Sequence, residues 1–292
     1  MAQMPLGQMY TWPEIADRVI KNAQNLGIIL PYIKFKRWLL EREPLGHSVD
    51  HIMKARCFKI WSRIRQNKDY FIVISGKERL GKSTLAIKIC SWIQPDWNLD
   101  NLCVTFSEIM ECIDRLKDKP YSAVLIDEGG WALFSRDVMT RVNKFLVKLF
   151  MVMGAKNLCM VVCVPNFHFM DTYIRDHRTD LLIQVGDKHS YKAIIGNGIR
   201  RVSKIGHKFK QISEIGLAKG TFWHGDWSKP FPPNVSEVAY LEKKNNFINK
   251  IIEDMRIEAH KIDNAIVKEA KKKKEESIST PEEEEPKNET NS

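Results

Sequence analysis

The residues most clearly suited to bind phosphate form one short segment, residues 76–84, which reads GKERLGKST. Gly76 and Gly81 allow backbone angles that let consecutive N–H groups curl around a phosphate. Lys82 is placed to reach the β- and γ-phosphates of a nucleotide, and the Ser83 hydroxyl is placed to bind Mg²⁺. The segment is therefore predicted to bind the phosphates of ATP through all nine residues: Gly76, Lys77, Glu78, Arg79, Leu80, Gly81, Lys82, Ser83 and Thr84.

The neighbouring segments are those that this chemistry needs. Residues 71–75 (FIVIS) are an apolar, β-branched run typical of a buried strand. Residues 85–93 continue with apolar side chains at helical spacing, and such a helix would direct its positive N-terminal end at the same phosphates. The alternative is a chance match in an unrelated glycine-rich turn, and the flanking strand and helix argue against it.

A second pair of candidates follows another apolar run. Residues 123–126 (AVLI) predict a buried parallel strand, and the adjacent carboxylates of Asp127 and Glu128 come directly after it. Asp127 is suited to hold Mg²⁺, largely through water, because Mg²⁺ prefers oxygen ligands and keeps much of its hydration. Glu128 is the predicted general base that orients and polarises the attacking water. A solvated Asp-Glu pair at a strand end is the alternative.

An amide follows the next apolar strand candidate, residues 158–164. Asn166 would emerge between the two nucleotide motifs, and we predict that it senses the γ-phosphate. The evidence for this role is its position rather than its residue type. Capping of the turn that Pro165 begins is the alternative.

Several arginines are candidates for a residue that reaches the nucleotide of a neighbouring subunit. Arg136, Arg141, Arg175 and Arg178 all lie on or near plausible subunit-facing elements, and Arg175 and Arg178 are the preferred pair. Helix-surface arginines usually pair with nearby acids instead, and Asp171, Asp176 and Asp180 are close in sequence.

The order of predicted elements gives the fold class. Strands at 102–106 and 181–185 join those already named, and the predicted helices cover residues 12–26, 48–65, 107–116 (capped by Ser107) and 137–153. Alternating strands and helices predict an α/β protein whose mostly parallel sheet is covered on both faces. The extra strand between the two nucleotide motifs indicates a P-loop NTPase of the additional-strand, RecA/FtsK-like type, with a three-layer α/β/α core.

The composition divides the chain into five predicted regions: an N-terminal helical region (1–68), the ATPase core (69–190), a basic hairpin and an aromatic, proline-rich strap (191–235), a long helix (236–274) and a disordered tail (275–292). The hairpin is inferred from the Gly-Asn-Gly turn at 196–198. It could contact DNA or simply extend the sheet edge. The long helix carries an apolar seam that suits either a short coiled coil or packing within the subunit.

The net charge of +10 favours a polyanionic partner, most plausibly DNA. Basic residues concentrate in two segments, 54–68 and 188–210. Solvated helix faces often give the same counts, so the charge alone leaves DNA contact undecided.

Other features exclude some classes of protein. No run of about 18 uncharged apolar residues is present, so no integral membrane segment is expected. The first residues lack the basic and apolar regions of a signal peptide. The six cysteines show no CxxC spacing, which favours buried, reduced thiols in a cytoplasmic protein over zinc or disulfides.

Several of these motifs together resemble a known family. The order of 126–130 (IDEGG), the helix with Asn143, 156–158 (KNL), 164–166 (VPN) and 170–175 is similar to that in the ATPase domain of the zonula occludens toxin and filamentous-phage assembly family. The related FtsK/HerA motors, and stand-alone ATPases of archaeal viruses and mobile elements, share it. The likeness covers about residues 70–190. The chain departs from it at 153–156, where an arginine is usual, and at 164–166, where the strand commonly ends in Thr-Gln or Thr-Pro.

The resemblance implies a homo-oligomeric motor, expected to be a hexamer, that moves DNA during packaging, extrusion or transfer with ATP and Mg²⁺ as cofactors. The alternative is a nucleotide-controlled regulatory or binding ATPase that does not translocate DNA.

Overall fold

The computed structural model describes residues 12–25, 27–45, 49–127, 148–150, 156–187, 189–205, 222–228 and 230–278. Several sequence predictions fall mainly or wholly outside these residues. They include the helix predicted at 137–153, of which only 148–150 is described and is helical, the general base Glu128, and the candidates Arg136 and Arg141.

Within the described residues, seven strands form one sheet in the order β2-β3-β4-β1-β5-β6-β7. They are β1 (Tyr70–Ser75), β2 (Leu102–Cys103), β3 (Ala123–Ile126), β4 (Cys159–Val164), β5 (Leu181–Val185), β6 (Ser190–Ile195) and β7 (Phe222–Asp226). The first five positions in the sheet pair in parallel, and β6 and β7 are antiparallel. The predicted mostly parallel α/β sheet is confirmed, and β4 lies between β1 and β3.

The central strands β3 and β4 are apolar along their whole length because both faces of the sheet are covered there. All six residues of β4 are buried, as are all four of β3. Successive residues of β1 point to opposite faces of the sheet, so Ile72 packs into one buried cluster and Val73 packs into the other. Continuous apolar runs of this kind are typical of parallel strands that lie between two layers of helices.

The described helices are α1 (Trp12–Asn25), α2 (Tyr32–Leu40), α3 (His51–Ile64), α4 (Lys82–Ile93), α5 (Phe106–Arg115), α6 (Asn197–Ile205) and α7 (Glu237–Ile278). α2 was not predicted. α3 begins where Asp50 accepts hydrogen bonds from the N–H groups of Ile52 (2.8 Å) and Met53 (3.0 Å). The predicted start at 48–50 therefore agrees with the structure.

The beginning of α5 corrects a prediction. Its cap is Thr105 rather than Ser107: the Thr105 hydroxyl accepts from the Glu108 N–H at 3.2 Å. The Glu108 carboxylate in turn accepts from the Val104 N–H at 2.7 Å. This reciprocal arrangement starts the helix at Phe106 and ends β2 at Cys103, so the strand predicted at 102–106 has only two residues.

The basic hairpin predicted around residues 192–202 is also wrong. β6 ends at Ile195, Gly196 adopts a φ of 57°, and helix α6 follows directly. The helix forms because Ile199 and Val202, three residues apart, both pack into the buried core. Local turn residues suggested a hairpin, but the helical spacing of the apolar side chains determined the structure.

The segment predicted as an aromatic strap forms edge strand β7, which pairs with β6. Trp223 and Trp227 are both buried, at 4% and 5% exposure. A side chain at Gly225 is excluded because a Cβ there would lie 2.2 Å from the Tyr191 hydroxyl oxygen. This strand therefore packs closely over the part of the molecule that contains α3 and β6.

The long helix continues further than predicted. α7 runs through Ile278, so residues 275–278 of the predicted tail are helical, and the remainder lies outside the described residues. The chain divides within this helix into two compact units, which comprise residues 1–240 and 241–292. The apolar seam is exposed, with Ile252 at 44% and Ile266 at 59%. No helix among the described residues has the length and hydropathy needed to cross a membrane.

Candidate functional site

The glycine-containing loop joins the end of β1 to the start of α4, at the carboxyl edge of the parallel strands. Gly81 adopts a φ of 83°, which favours glycine. Gly76 leaves no room for a side chain, because a Cβ there would lie 2.8 Å from the Val185 carbonyl oxygen at the end of β5. The Gly76 N–H also donates to the Pro165 carbonyl at 3.3 Å. The loop is thus fixed between the ends of β4 and β5.

Lys82 is the first residue of α4, and its side chain crosses the loop. Its Nζ donates to the carbonyl oxygen of Lys77 at 2.7 Å. The amino group is therefore held over the same backbone segment that carries the first N–H groups of the helix. A phosphate placed there would meet both a charged amine and the positive end of α4.

The far end of α4 is held by a buried arginine. Arg42 donates from Nε to the Trp92 carbonyl at 2.6 Å and from one terminal nitrogen to the Ile93 carbonyl at 3.2 Å. These are the last carbonyls of the helix, which lack partners within it. Burial lowers the pKa of Arg42 to about 10, which leaves it charged at neutral pH. A cation at this end complements the helix dipole whose positive end lies at the loop.

The two candidate magnesium residues meet directly. The Ser83 hydroxyl donates to Oδ1 of Asp127 at 2.7 Å, although the residues are 44 positions apart. Asp127 is 2% exposed and directly follows β3. A serine hydroxyl and a carboxylate at this spacing are an oxygen donor set that suits Mg²⁺ completed by phosphates and water. Among the described residues, no group of three or more His, Cys, Asp and Glu side chains forms a metal site.

A tyrosine that the sequence reasoning missed completes this arrangement. The Tyr240 hydroxyl donates to Oδ2 of Asp127 at 3.0 Å, so both carboxylate oxygens of Asp127 accept hydrogen bonds. Burial, followed by the charge of Asp127, raises the pKa of Tyr240 well above its ordinary value, so it remains a donor. Tyr240 lies in the first turn of α7, and no local motif marks it, because its partner is 113 residues earlier.

The sequence also did not predict that an aromatic residue, Trp227, contacts the loop. A Cβ at Gly81 would lie 3.4 Å from Trp227, so the indole packs directly against the loop glycine. The backbone N–H of Trp227 donates to the His189 carbonyl at 3.1 Å, which fixes this contact. The aromatic, proline-rich composition predicted a strap, but not that it would pack on the glycine-containing loop.

Asn166 follows β4, and Pro165 beside it contacts the loop backbone. The Oδ1 atom of Asn166 accepts a hydrogen bond from the His168 N–H at 3.0 Å and caps the short helical turn Phe167–Phe169. The capping alternative therefore describes what this side chain does in the structure. The sensor role stays a prediction.

The two preferred arginines are engaged within the chain. Arg178 pairs with Asp69 and also donates to the Phe150 carbonyl at 3.1 Å. Arg175 contacts the His168 ring at 3.2 Å and the Thr172 hydroxyl at 3.1 Å. Arg178 thus forms the intramolecular ion pair expected of a surface arginine, although its partner is Asp69 rather than one of the nearby acids considered. Arg136 and Arg141 lie outside the described residues.

Comparisons with known proteins add little to this geometry. No protein-family model matches the chain, and no curated protein matches it. Solved structures match part of it, and one is the crystal structure of the FIGL-1 AAA domain, with 16% identity, a TM-score of 0.33 and 50% of this chain covered. The chain spans about half of the FIGL-1 chain, 51%. At this level the likeness assigns neither a family nor a function.

Proposed function

We propose that this protein is a Mg²⁺-dependent ATPase of the P-loop class, of the additional-strand type. The observation that carries the proposal is the hydrogen bond of 2.7 Å between Ser83 and Asp127. It joins the loop that can hold phosphates to the carboxylate that can hold the metal's water ligands. The position of β4 between β1 and β3 supports the additional-strand assignment.

Each candidate site residue has a defined task in this proposal. The loop N–H groups and Lys82 bind the β- and γ-phosphates and neutralise charge that develops during transfer. Ser83 would hold Mg²⁺ through its hydroxyl, and Asp127 would hold it largely through water. The chemistry that Mg²⁺ would supply when bound there is Lewis-acid stabilisation of the phosphate charge. Glu128 next to Asp127 is the proposed general base for the attacking water.

We further propose that hydrolysis serves a DNA-directed, homo-oligomeric motor. The net charge of +10 and the resemblance to motor ATPases support this step. The alternative is a regulatory ATPase whose turnover does not respond to DNA.

The test measures ATP turnover by the full chain with Mg²⁺, with EDTA, and with Mg²⁺ plus single-stranded or duplex DNA. We expect Mg²⁺-dependent turnover that DNA stimulates. Glu128→Gln should lower turnover by about 100-fold or more while ATP still binds, because the amide keeps its size but cannot accept the proton. Glu111→Gln, the same change at an exposed residue of α5, is the control and should keep most of the activity.

Three results would change the proposal. Wild-type turnover in EDTA would exclude the magnesium role of Ser83 and Asp127. Normal turnover by Glu128→Gln would remove that residue as the base. Turnover that is indifferent to both DNA forms would favour the regulatory ATPase.

A further inference from the structure

A second candidate binding region lies at the amino edge of the parallel strands, away from the phosphate loop. Tyr70 begins β1, Asp180 precedes β5, and Ile195 ends the antiparallel strand β6, so these three residues lie at the same edge. A cleft of about 1010 Å³ opens there, lined also by α3 and by the start of α6. We call it the amino-edge cleft. β1 alone separates the edges by about 17 Å, five steps of about 3.3 Å each.

The amino-edge cleft brings together cations from both of the basic segments of the sequence. Five cationic side chains line it: Arg56, Lys59, Arg63, Lys68 and Arg200. Three of them, on α3, are spaced three and four residues apart and therefore share one face of that helix. Arg200 comes from α6, more than 130 residues later. The fold thus concentrates charge that the sequence distributes over distant segments.

Two carboxylates also line the cleft, and one of them is already neutralised. Asp180 accepts from Arg63 at 3.0 Å and from the Phe71 N–H at 3.0 Å. Asp176 is the second. The pair formed by Arg63 and Asp180 is structural, because it holds α3 against the start of β5. Arg56, Lys59, Lys68 and Arg200 are left as the cations for a ligand, against the single carboxylate of Asp176.

Arg56 is positioned for an anion more specifically than an ordinary surface arginine. Its guanidinium lies over the Trp223 ring, 4.6 Å from the centroid, which fixes its plane. Its buried Nε has no hydrogen-bond partner among the described residues. Burial also lowers the pKa of Arg56 below its ordinary value. A guanidinium held in a fixed orientation is suited to bind a phosphate oxygen.

The start of α6 adds backbone donors to the same cleft. Gly196 and Asn197 line it. The Ile199 N–H already donates to the Gly196 carbonyl at 3.0 Å, so the N–H groups of Asn197 and Gly198 are the ones without partners within the helix. Helix N-termini favour phosphate through these groups and the helix dipole. Side-chain cations, a fixed guanidinium and a helix N-terminus therefore converge on one cleft.

We propose that the amino-edge cleft binds the sugar–phosphate backbone of DNA, with Arg56, Lys59 and Arg200 as phosphate contacts. This proposal rests on the proposed DNA-directed ATPase and assigns its DNA site to the edge opposite the nucleotide. Several cations spread over two helices suit a repeating polyanion better than a single small anion. Contacts of this kind hold the backbone without reading bases, which a motor on any sequence requires.

α6 supplies a matched pair of variants for the test. Arg200 lines the cleft, whereas the next residue, Arg201, is exposed and does not line it. Neighbouring helical residues point about 100° apart, so Arg200→Glu and Arg201→Glu make the same charge change on different faces. Lys59→Glu tests the cleft independently from α3, where that side chain is exposed.

The experiment measures fluorescence anisotropy of a labelled 20-nucleotide DNA, single-stranded or duplex, with the full chain between 50 and 200 mM salt. We expect Lys59→Glu and Arg200→Glu each to weaken binding about tenfold at the lowest salt, and Arg201→Glu less than about threefold. Each cleft variant should flatten the log–log salt slope by about 0.9 on duplex or 0.7 on single strands. The form that loses more affinity identifies the strand state that the cleft holds. Thermal unfolding confirms that each variant is folded.

Several outcomes would overturn the assignment. One is equal weakening by Arg200→Glu and Arg201→Glu, which would indicate diffuse charge. Another is displacement of the DNA by polyglutamate as effective as by unlabelled DNA, which would indicate an acidic protein partner. If the wild type hydrolyses ATP but does not bind DNA, the cleft proposal and the DNA-directed motor both fail, and the ATPase proposal stands. If it binds DNA in the cleft but hydrolyses no ATP, the ATPase proposal fails and the cleft stands.

Discussion

The two edges of the sheet both present cations and a helix N-terminus, but they are built in different ways. At the carboxyl edge, one continuous segment of nine residues supplies the loop, Lys82 and Ser83, and a single strand adds Asp127. At the amino edge, the cations come from α3, from the turn after it and from α6. The first arrangement depends on local backbone geometry, and the second depends on how distant helices pack.

This difference shows which kind of charged site can be predicted from a sequence. The phosphate loop needs specific backbone angles at Gly76 and Gly81, and such requirements leave a recognisable motif. A basic cleft needs only cations on the correct helix faces, and many sequences satisfy that. The basic segment 54–68 illustrates the problem, because Lys54 is fully buried while Lys59 on the same helix is exposed.

The variant with the largest expected effect distinguishes the function of the carboxyl edge of the sheet from that of the amino edge. Lys82→Ala should weaken ATP binding roughly 10- to 100-fold, because a hydrogen bond to a charged group contributes about 1.5–3 kcal/mol. Turnover should fall below detection. Titration with a fluorescent ATP analogue measures the affinity. DNA affinity of the nucleotide-free protein should stay within about twofold, since Lys82 lies at the other edge.

Lys77→Ala is the control for that variant. Lys77 contributes its backbone carbonyl rather than its side chain to the contact with Lys82, and the side chain is exposed. ATP binding by Lys77→Ala should therefore stay close to wild type. If both alanine variants weaken ATP equally, the specific role of Lys82 is contradicted.

A smaller effect tests the contact that closes the carboxyl edge. Tyr240→Phe removes the buried hydrogen bond to Asp127 and should lower the free energy of unfolding by about 1 kcal/mol. For a domain of this size the midpoint of thermal unfolding should fall by roughly 2–4 °C. Differential scanning calorimetry without nucleotide measures both.

The matched control is Tyr32→Phe, which removes the same kind of bond at the exposed surface. The Tyr32 hydroxyl donates to Asp17 at 2.8 Å in an exposed setting. Water replaces such a partner easily, so this variant should shift the midpoint by less than about 1 °C. An equal shift in the two variants would contradict the buried contact of Tyr240.

The smallest effect concerns the buried cation of the basic helix. Burial lowers the pKa of Lys54 to about 8, below its ordinary value. Between pH 8 and about 10 the unfolded chain binds this proton and the folded chain does not, so the contribution of Lys54 to stability rises with pH. Below pH 8 both states are protonated, and the buried charge destabilises the fold.

Lys54→Met should therefore flatten the pH dependence of unfolding by urea. Its stability relative to wild type should be greatest near pH 7 and should shrink toward pH 10. DNA affinity at pH 7 should change less than about threefold, because Lys54 packs near Trp92 and does not line the amino-edge cleft. A constant difference across this pH range would contradict the lowered pKa.

Much of the fold could be predicted from short apolar runs. β3 at Ala123–Ile126 and β5 at Leu181–Val185 have the predicted bounds, and β4 differs by one residue. Such runs predict strands correctly here because strands that are buried on both faces are uniformly apolar. The errors lie where two local signals compete. The Gly-Asn-Gly turn at 196–198 suggested a hairpin, whereas Ile199 and Val202 gain burial only in a helix.

The sequence by itself determined the glycine-containing loop, its strand and helix, and the acidic strand end, because each depends on neighbours along the chain. Only the tertiary structure decided that Ser83 contacts Asp127, that Tyr240 donates to the same carboxylate, and that Trp227 packs on Gly81. It alone also separated Arg200 from Arg201 and gathered the cations of α3 and α6 into one cleft. The physical reason is that a contact between distant segments follows from packing of the whole core, which no local pattern records.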